Sequence, residues 1–195
     1  MQRLIRLNTP DWLQENYKKW GKQYEAKRNN PNKKNEFTWA TYQKNKVNTL
    51  LLPILIEQTQ NHCSYCDGYP MNSMGETIDH FRPKANYPLL AYVWHNLFLC
   101  CYNCQKRNNS FDKRLLKPDQ ISYNFNHYFV FKYATGFIEV NPRRELSDQE
   151  KARITIDLFQ LNGFGRPEDR LENWRKYQNQ INPKSKDNFP YRFIL

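Results

Sequence analysis

No stretch of this chain is apolar over the roughly 20 residues that a membrane helix needs. Residues 1–12 (MQRLIRLNTPDW) lack the apolar run of a signal peptide, so a cytoplasmic location and no membrane partner are expected. There is no internal repeat and no low-complexity tract, which excludes repeat arrays and compositionally biased linkers. Negative charge is also scarce: 19 Asp and Glu stand against 30 Lys and Arg, a formal net charge of +11. Residues 1–60 hold 11 basic and 5 acidic side chains, a net +6, against +2 for 61–120 and +3 for 121–195. Such a surplus favours phosphate-rich partners, because each neutralised phosphate releases condensed counterions. A soluble protein with basic flanks would carry the same charge. A disordered basic tail is excluded, since aromatic residues make up 15% of the chain. Its 195 residues suffice for one compact domain and are too few for two independent cores.

Thr9-Pro10-Asp11 reads as a helix start, with Thr9 capping and Pro10 in the first turn. Leu13, Tyr17, Trp20 and Tyr24 then share one helical face. Residues 28–35 (RNNPNKKN) form an exposed basic loop, a solvated face or a DNA contact. A second helix is expected from about 38 to 57, kinked or interrupted at Pro53. A hairpin is expected from 128–133 through Ala134-Thr135-Gly136 to 137–140. Ser147-Asp148-Gln149-Glu150 reads as a capping box opening a helix that ends near Asn162-Gly163. A last helix follows Arg166-Pro167, with Leu171, Trp174, Gln178 and Ile181 at helical spacing.

Cys63-Ser-Tyr-Cys66 and Cys101-Tyr-Asn-Cys104 are two CxxC knuckles. A two-residue gap lets both thiolates of a pair reach one ion, and two pairs complete a tetrahedral zinc shell. In a reducing compartment such pairs are metal ligands rather than disulfides. Cys100 lacks the spacing and reads as a small buried residue, and His62 and His95 are not needed as ligands. A closed four-cysteine shell leaves no open position, so this zinc would hold the fold rather than do chemistry.

Thirty-four residues separate the knuckles, and they include Thr77-Ile78-Asp79-His80-Phe81-Arg82-Pro83-Lys84 and Trp94-His95-Asn96-Leu97. Trp94 and Phe98 read as core, and His127 in the hairpin as structural. An isolated Asp-His pair is usually a turn or a surface pair. The order CxxC, Asp-His, Asn-Leu, CxxC resembles the HNH endonucleases. Within them, Asp79-His80-Phe81-Arg82-Pro83-Lys84 is similar to the signature of a subgroup from bacterial anti-phage systems of the Septu and retron types. There the nuclease is paired with an ABC/SMC-type ATPase. Phe37-Thr38-Trp39 matches the same subgroup, as does Thr155-Ile156-Asp157-Leu158 followed by Leu161-Asn162, so the resemblance spans roughly 37–175.

The resemblance implies an α+β fold with a zinc-stapled ββα-metal (HNH) core over 61–117. An N-terminal helical region over 1–60 and a C-terminal hairpin and helices over 118–195 complete one compact domain. Phosphodiester hydrolysis needs an activated water, a Lewis acid on the leaving oxygen and stabilisation of added negative charge. By resemblance, His80 is the general base, Asp79 holds a catalytic Mg²⁺ or Mn²⁺, and Asn96 holds the loop that orients the histidine. Arg82 and Lys84 are placed to meet phosphate oxygens. One position departs from the family: Gln105 stands after the last knuckle cysteine, where a His or Asn is the usual second metal ligand. Gln105 can ligate through its amide oxygen, Asn108 or Asn109 can substitute, or the site is weakened.

The expected function is therefore a metal-dependent endonuclease acting on nucleic acid, DNA before RNA, in anti-phage defence beside the ATPase. The rival is a zinc-ribbon nucleic-acid-binding or adaptor protein with a degenerate site. A secreted DNase toxin is disfavoured by the thiols and the lack of a delivery segment. For the ATPase partner, the aromatic helices at 11–28 and 168–181 offer Trp12, Trp20, Trp174 and Tyr177, residue types enriched at interfaces.

Overall fold

In the computed structural model, which describes residues 1–30, 36–107, 109–180 and 185–195, helix α1 (Asp11–Arg28) buries Leu13, Trp20 and Gly21. Gly21 matters for its missing side chain: a Cβ there would stand 3.0 Å from the Leu89 carbonyl oxygen, so α1 lies against the 3₁₀ turn Pro88–Leu90. The helix begins after Pro10, which occupies the N-cap position itself, and Thr9 makes no side-chain cap. The basic loop expected at 28–35 lies for the most part outside the described residues.

The second helix starts nine residues later than its sequence pattern indicates. Residues before it form a small hairpin, β1 (Thr41–Tyr42) against β2 (Asn45–Lys46), with Thr41 opposite Lys46. Gln43 and Lys44 both have positive φ, the pair of left-handed residues a two-residue hairpin turn requires. Asn-Gly is the usual carrier of that turn, so a Gln-Lys pair hid it. Helix α2 (Val47–Thr59) buries Val47, Leu51, Leu55 and Thr59, one residue per turn. Pro53 sits on its exposed side and does not interrupt it.

Strands β3 (Glu76–His80) and β4 (Leu97–Cys101) form an antiparallel ladder that pairs Asp79 with Phe98 and His80 with Leu97. All five β4 residues are buried. Helix α3 (Tyr102–Gln105) follows directly and contains the last cysteine, Cys104. The C-terminal part holds α4 (Phe125–Tyr128), the expected hairpin β5 (Phe129–Phe131) with β6 (Ile138–Val140), α5 (Leu146–Leu158) and α6 (Arg166–Gln178). The capping box does not form. Helix α5 starts at Leu146, and Ser147 makes no cap, because the N–H groups of Asp148 and Gln149 bond the Glu145 carbonyl. Asp148 turns instead to His127 and Lys151, both at 2.7 Å. The helix also stops at Leu158, short of Asn162-Gly163; the Asn162 side chain accepts the Ile138 N–H and donates to the Ile138 carbonyl. Helix α6 ends at Gln178, and Ile181 lies outside the described residues.

Among the described residues the fold is thus mixed α+β, with six α-helices and three two-stranded sheets. One buried cluster joins Leu13 and Leu51 to Trp94 in the turn before β4 and Phe98 on β4, and to Phe129 and Leu161 beyond them. No helix is long and apolar enough to cross a membrane among the described residues.

Candidate metal centre and the adjoining cleft

The cysteine knuckles meet because β4 delivers Cys101 beside the loop after α2. The Cys101 N–H donates to Cys63 Sγ at 3.4 Å, and within the loop the Asp67 N–H bonds the Cys63 carbonyl. All four sulfurs of Cys63, Cys66, Cys101 and Cys104 lie within 4.8 Å of one another, and all are buried. Tetrahedral Zn–S bonds of about 2.3 Å place sulfurs about 3.8 Å apart, which is the Cys66–Cys101 separation of 3.8 Å. The cluster fits a metal ion such as zinc. Hydrogen bonds from Cys101, Cys104 and Cys63 hold the Cys66 thiol well below its ordinary pKa, so at least one ligand is readied as thiolate. Cys100 is not one of the four. Burial pushes its thiol up to about 12, so it is a protonated packing residue. His62 bridges the carbonyls of Gln60 and Phe189, and His95 is exposed, so neither joins the cluster.

The sequence gives no hint of Arg166. Its Nη2 approaches Cys104 Sγ at 3.2 Å and Cys101 Sγ at 3.9 Å from the first turn of α6. Burial works against this cation, yet the charges of Cys66, Cys104 and Cys101 outweigh it and raise its pKa. Four thiolates around a divalent ion leave two negative charges, and a buried guanidinium offsets part of that excess.

The other end of the same strand pair opens a cleft of about 370 Å³, lined by Asp79, His80, Lys84, Tyr102, Gln105, Lys106 and Asn109 among others. Asp79 and His80 end β3 and are buried in its wall. Asp79 accepts from Tyr65 Oη and from Arg107 Nη2, each at 2.7 Å and each on Oδ2. Its Oδ1 has no protein partner among the described residues. His80 Nε2 lies 2.9 Å from the Ala91 carbonyl, which can only accept, so Nε2 carries the proton and Nδ1 holds the lone pair. Burial first, and the Lys84 ammonium second, lower the His80 pKa to about 4. The imidazole is therefore neutral at physiological pH. Trp39 stacks on it at 5.4 Å and Phe37 meets it edge-on at 5.5 Å.

Asn96 fastens the loop that follows His80. Its Oδ1 accepts the Arg82 N–H at 2.8 Å, and its Nδ2 donates to the carbonyls of Arg82 and Leu90. Gln105 and Asn109 both reach the cleft, and Asn108 lies outside the described residues. Lys84 lines the cleft with its ammonium 4.9 Å from the Phe37 ring, and burial lowers its pKa. Arg82 is exposed, beside Tyr87, and is not part of the cleft lining. Arg107 and Tyr65 escaped the sequence reading, although both flank knuckle cysteines and so had to lie near the strand pair.

Trp94 and Phe98 are core, as expected, and His127 is tied to Asp148. The four aromatics named for a partner surface all make ring contacts within the chain, and Trp12, Trp174 and Tyr177 stay half-buried. Trp20 is buried, Trp12 stacks on Tyr42, Trp174 meets Tyr133, and Tyr177 meets Phe189. Compared with known proteins, the chain matches no family model and no curated protein.

Proposed function

We propose that the chain is a metal-dependent HNH-type endonuclease that hydrolyses nucleic-acid phosphodiester bonds, DNA before RNA, with β3, β4 and α3 as its ββα-metal core. The observation that supports this best is the His80 imidazole: neutral, buried, held by Nε2 on the Ala91 carbonyl, and next to a carboxylate on the cleft wall. In this reading Nδ1 of His80 takes a proton from water as the water oxygen bonds to phosphorus, and the P–O bond to the leaving sugar oxygen breaks. Asn96 acts as a positioning residue, since it fixes the backbone from Phe81 to Leu90 around the histidine. Lys84 is available for a phosphate oxygen from inside the cleft, and Arg82 from outside it.

Among the described residues, the carboxylate and amide groups lining the cleft are Asp79, Gln105 and Asn109. Hard oxygen donors with a single charge fit a largely hydrated Mg²⁺ or Mn²⁺. Such an ion supplies Lewis-acid stabilisation of the charge that builds on the leaving oxygen. The sequence resemblance extends the proposal to bacterial anti-phage defence in complex with an ABC/SMC-type ATPase. Co-expression with an ATPase gene encoded beside it should give a complex that survives gel filtration.

A second reading has its own support: a zinc-ribbon nucleic-acid-binding or adaptor protein with a degenerate site. Gln105 replaces a better ligand, and Arg107 occupies one oxygen of Asp79. A plasmid-nicking assay with and without Mg²⁺ or Mn²⁺ separates the two. Metal-dependent nicking that His80→Ala abolishes supports the enzyme. DNA binding by zinc-loaded protein, with no nicking under either metal, supports the binding module.

A further inference from the structure

One edge of the cleft carries Tyr102 and Lys106, which the proposed chemistry does not use, and Phe164 stands beside them. Tyr102 is 61% exposed and Phe164 is 44% exposed, among the few large hydrophobic side chains left in water. Between them sits Lys106, its Nζ 4.9 Å from the Tyr102 ring centre and 5.0 Å from that of Phe164. Among the described residues no carboxylate pairs with Lys106. Tyr102 and Lys106 line the same cleft as Asp79 and His80.

The rings are held at their bases and remain partly in water. The Tyr102 N–H donates to the Met74 carbonyl at 3.2 Å. Gly75, at φ +70, lies directly beneath: a Cβ there would stand 3.3 Å from Tyr102 Cβ and would be strained as well. Phe164 is itself in the left-handed region at φ +59, a costly conformation for a bulky residue. That turn sets its ring near two cations, the Lys106 ammonium at 5.0 Å and the Arg166 guanidinium at 5.2 Å. Exposed aromatic rings interleaved with cations suit a nucleobase and its phosphate, because every base has a π-face and stacking tolerates any sequence. A duplex offers no such face, its bases being stacked on one another.

We infer that Tyr102, Lys106 and Phe164 form a stacking platform for an unpaired nucleotide, so that the strand led to Asp79 and His80 is single-stranded or locally unpaired around the scissile bond. The inference rests on the endonuclease reading for its second half and on the platform's geometry for its first. A protein partner would also cover exposed rings. The unpaired lysine, the net charge of +11 and the shared cleft lining favour nucleic acid.

The test measures binding of full-length, zinc-loaded protein to a labelled oligothymidylate and to a duplex of equal length, by fluorescence anisotropy without added Mg²⁺. The parent should prefer the single strand. Tyr102→Ala should weaken single-strand binding on the order of 10-fold, with a smaller change for duplex, while Tyr102→Phe keeps parental affinity. Zinc content and thermal unfolding of each variant establish that the fold is intact. Unchanged single-strand affinity in Tyr102→Ala, equal losses for both substrates, or a co-purifying protein lost from that variant in place of DNA binding would each overturn the platform. Single-strand preference without any nicking by the parent would keep the platform and remove the nuclease reading alone.

Discussion

Nη2 of Arg107 stands 2.7 Å from Oδ2 of Asp79 and also donates to the carbonyls of His80 and Phe81. One guanidinium therefore fixes both the acidic side chain and the backbone that turns His80 into the cleft. Its side chain is fully buried, and that of Asp79 is 8% exposed. Breaking a buried ion pair from one side leaves a charge without a partner, which costs about 3–5 kcal/mol.

Arg107→Leu should accordingly lower stability by about that amount in urea unfolding. Asp79→Asn combined with Arg107→Leu should cost less than the two single losses added, because the pair fails as a unit. Strict additivity would mean that the two groups do not support each other.

The cysteine centre leads to a second expectation. Cys66→Ser or Cys104→Ser should release the metal and much of the fold, since a structural zinc contributes on the order of 10 kcal/mol of binding energy. Elemental analysis of the parent should find one zinc per chain. Arg166→Leu should retain zinc but bind it about 10–100-fold more weakly, as the loss of an outer partner does elsewhere. Competition with a chromophoric chelator reads that shift directly. Parental affinity in Arg166→Leu would show that its contacts with Cys104 and Cys101 carry no weight.

How much of this could be seen beforehand follows from the reach of each signal. The paired CxxC spacing is local and chemical, and the four sulfurs do converge. The hairpin at β5–β6 was also legible, because Ala134-Thr135-Gly136 separates two apolar runs and Gly136 takes the positive φ the turn needs. The β1–β2 hairpin was not, since Gln43 and Lys44 belong to no turn motif. Hydrogen bonds outside any turn motif decide such details: the Val47 N–H bonds the Ala40 carbonyl, and Tyr92 Oη accepts the Ala40 N–H. The partners of the candidate site lie beyond any local pattern. Arg166 reaches the cysteines across 62 positions of sequence, and Trp39 covers His80 across 41. Only tertiary packing brings them there, so neither had a motif to announce it.

His80 gives a pH dependence of stability. Its folded pKa of about 4 lies below the ordinary 6.5, so between these values the unfolded chain binds the proton that the folded one refuses. Stability from this residue is complete above about 6.5 and is lost as pH falls towards 4. The span amounts to roughly 3 kcal/mol. Zinc release and the carboxylates also act in acid, so the readout is the difference between the parent and His80→Asn at each pH. That difference should shrink steadily from pH 6.5 to 4. A difference that stays flat would place the imidazole in a more solvated setting. At neutral pH, His80→Ala should also remove cleavage by roughly 10²–10⁴-fold, with zinc content unchanged.

Gln105 carries the last expectation, because it is the position at which the sequence departs from its resemblance. Its side chain and that of Asn109 both face the cleft, and Asp79 is the carboxylate there with an oxygen to spare. A neutral amide is a weak ligand, so a divalent ion held by one carboxylate and one amide keeps most of its water and is exchanged readily. Cleavage should then require Mg²⁺ or Mn²⁺ at high concentration. Gln105→Ala should raise the metal concentration for half-maximal nicking by about 10-fold, with little change in rate at saturating metal. Gln105→His supplies an imidazole and should shift the preference towards Mn²⁺ and softer ions. Asn109→Ala is the control at the other amide. If its titration moves and that of Gln105→Ala overlays the parent, Asn109 is the ligand. If neither moves while Asp79→Ala abolishes metal dependence, the ion is held by Asp79 and water alone.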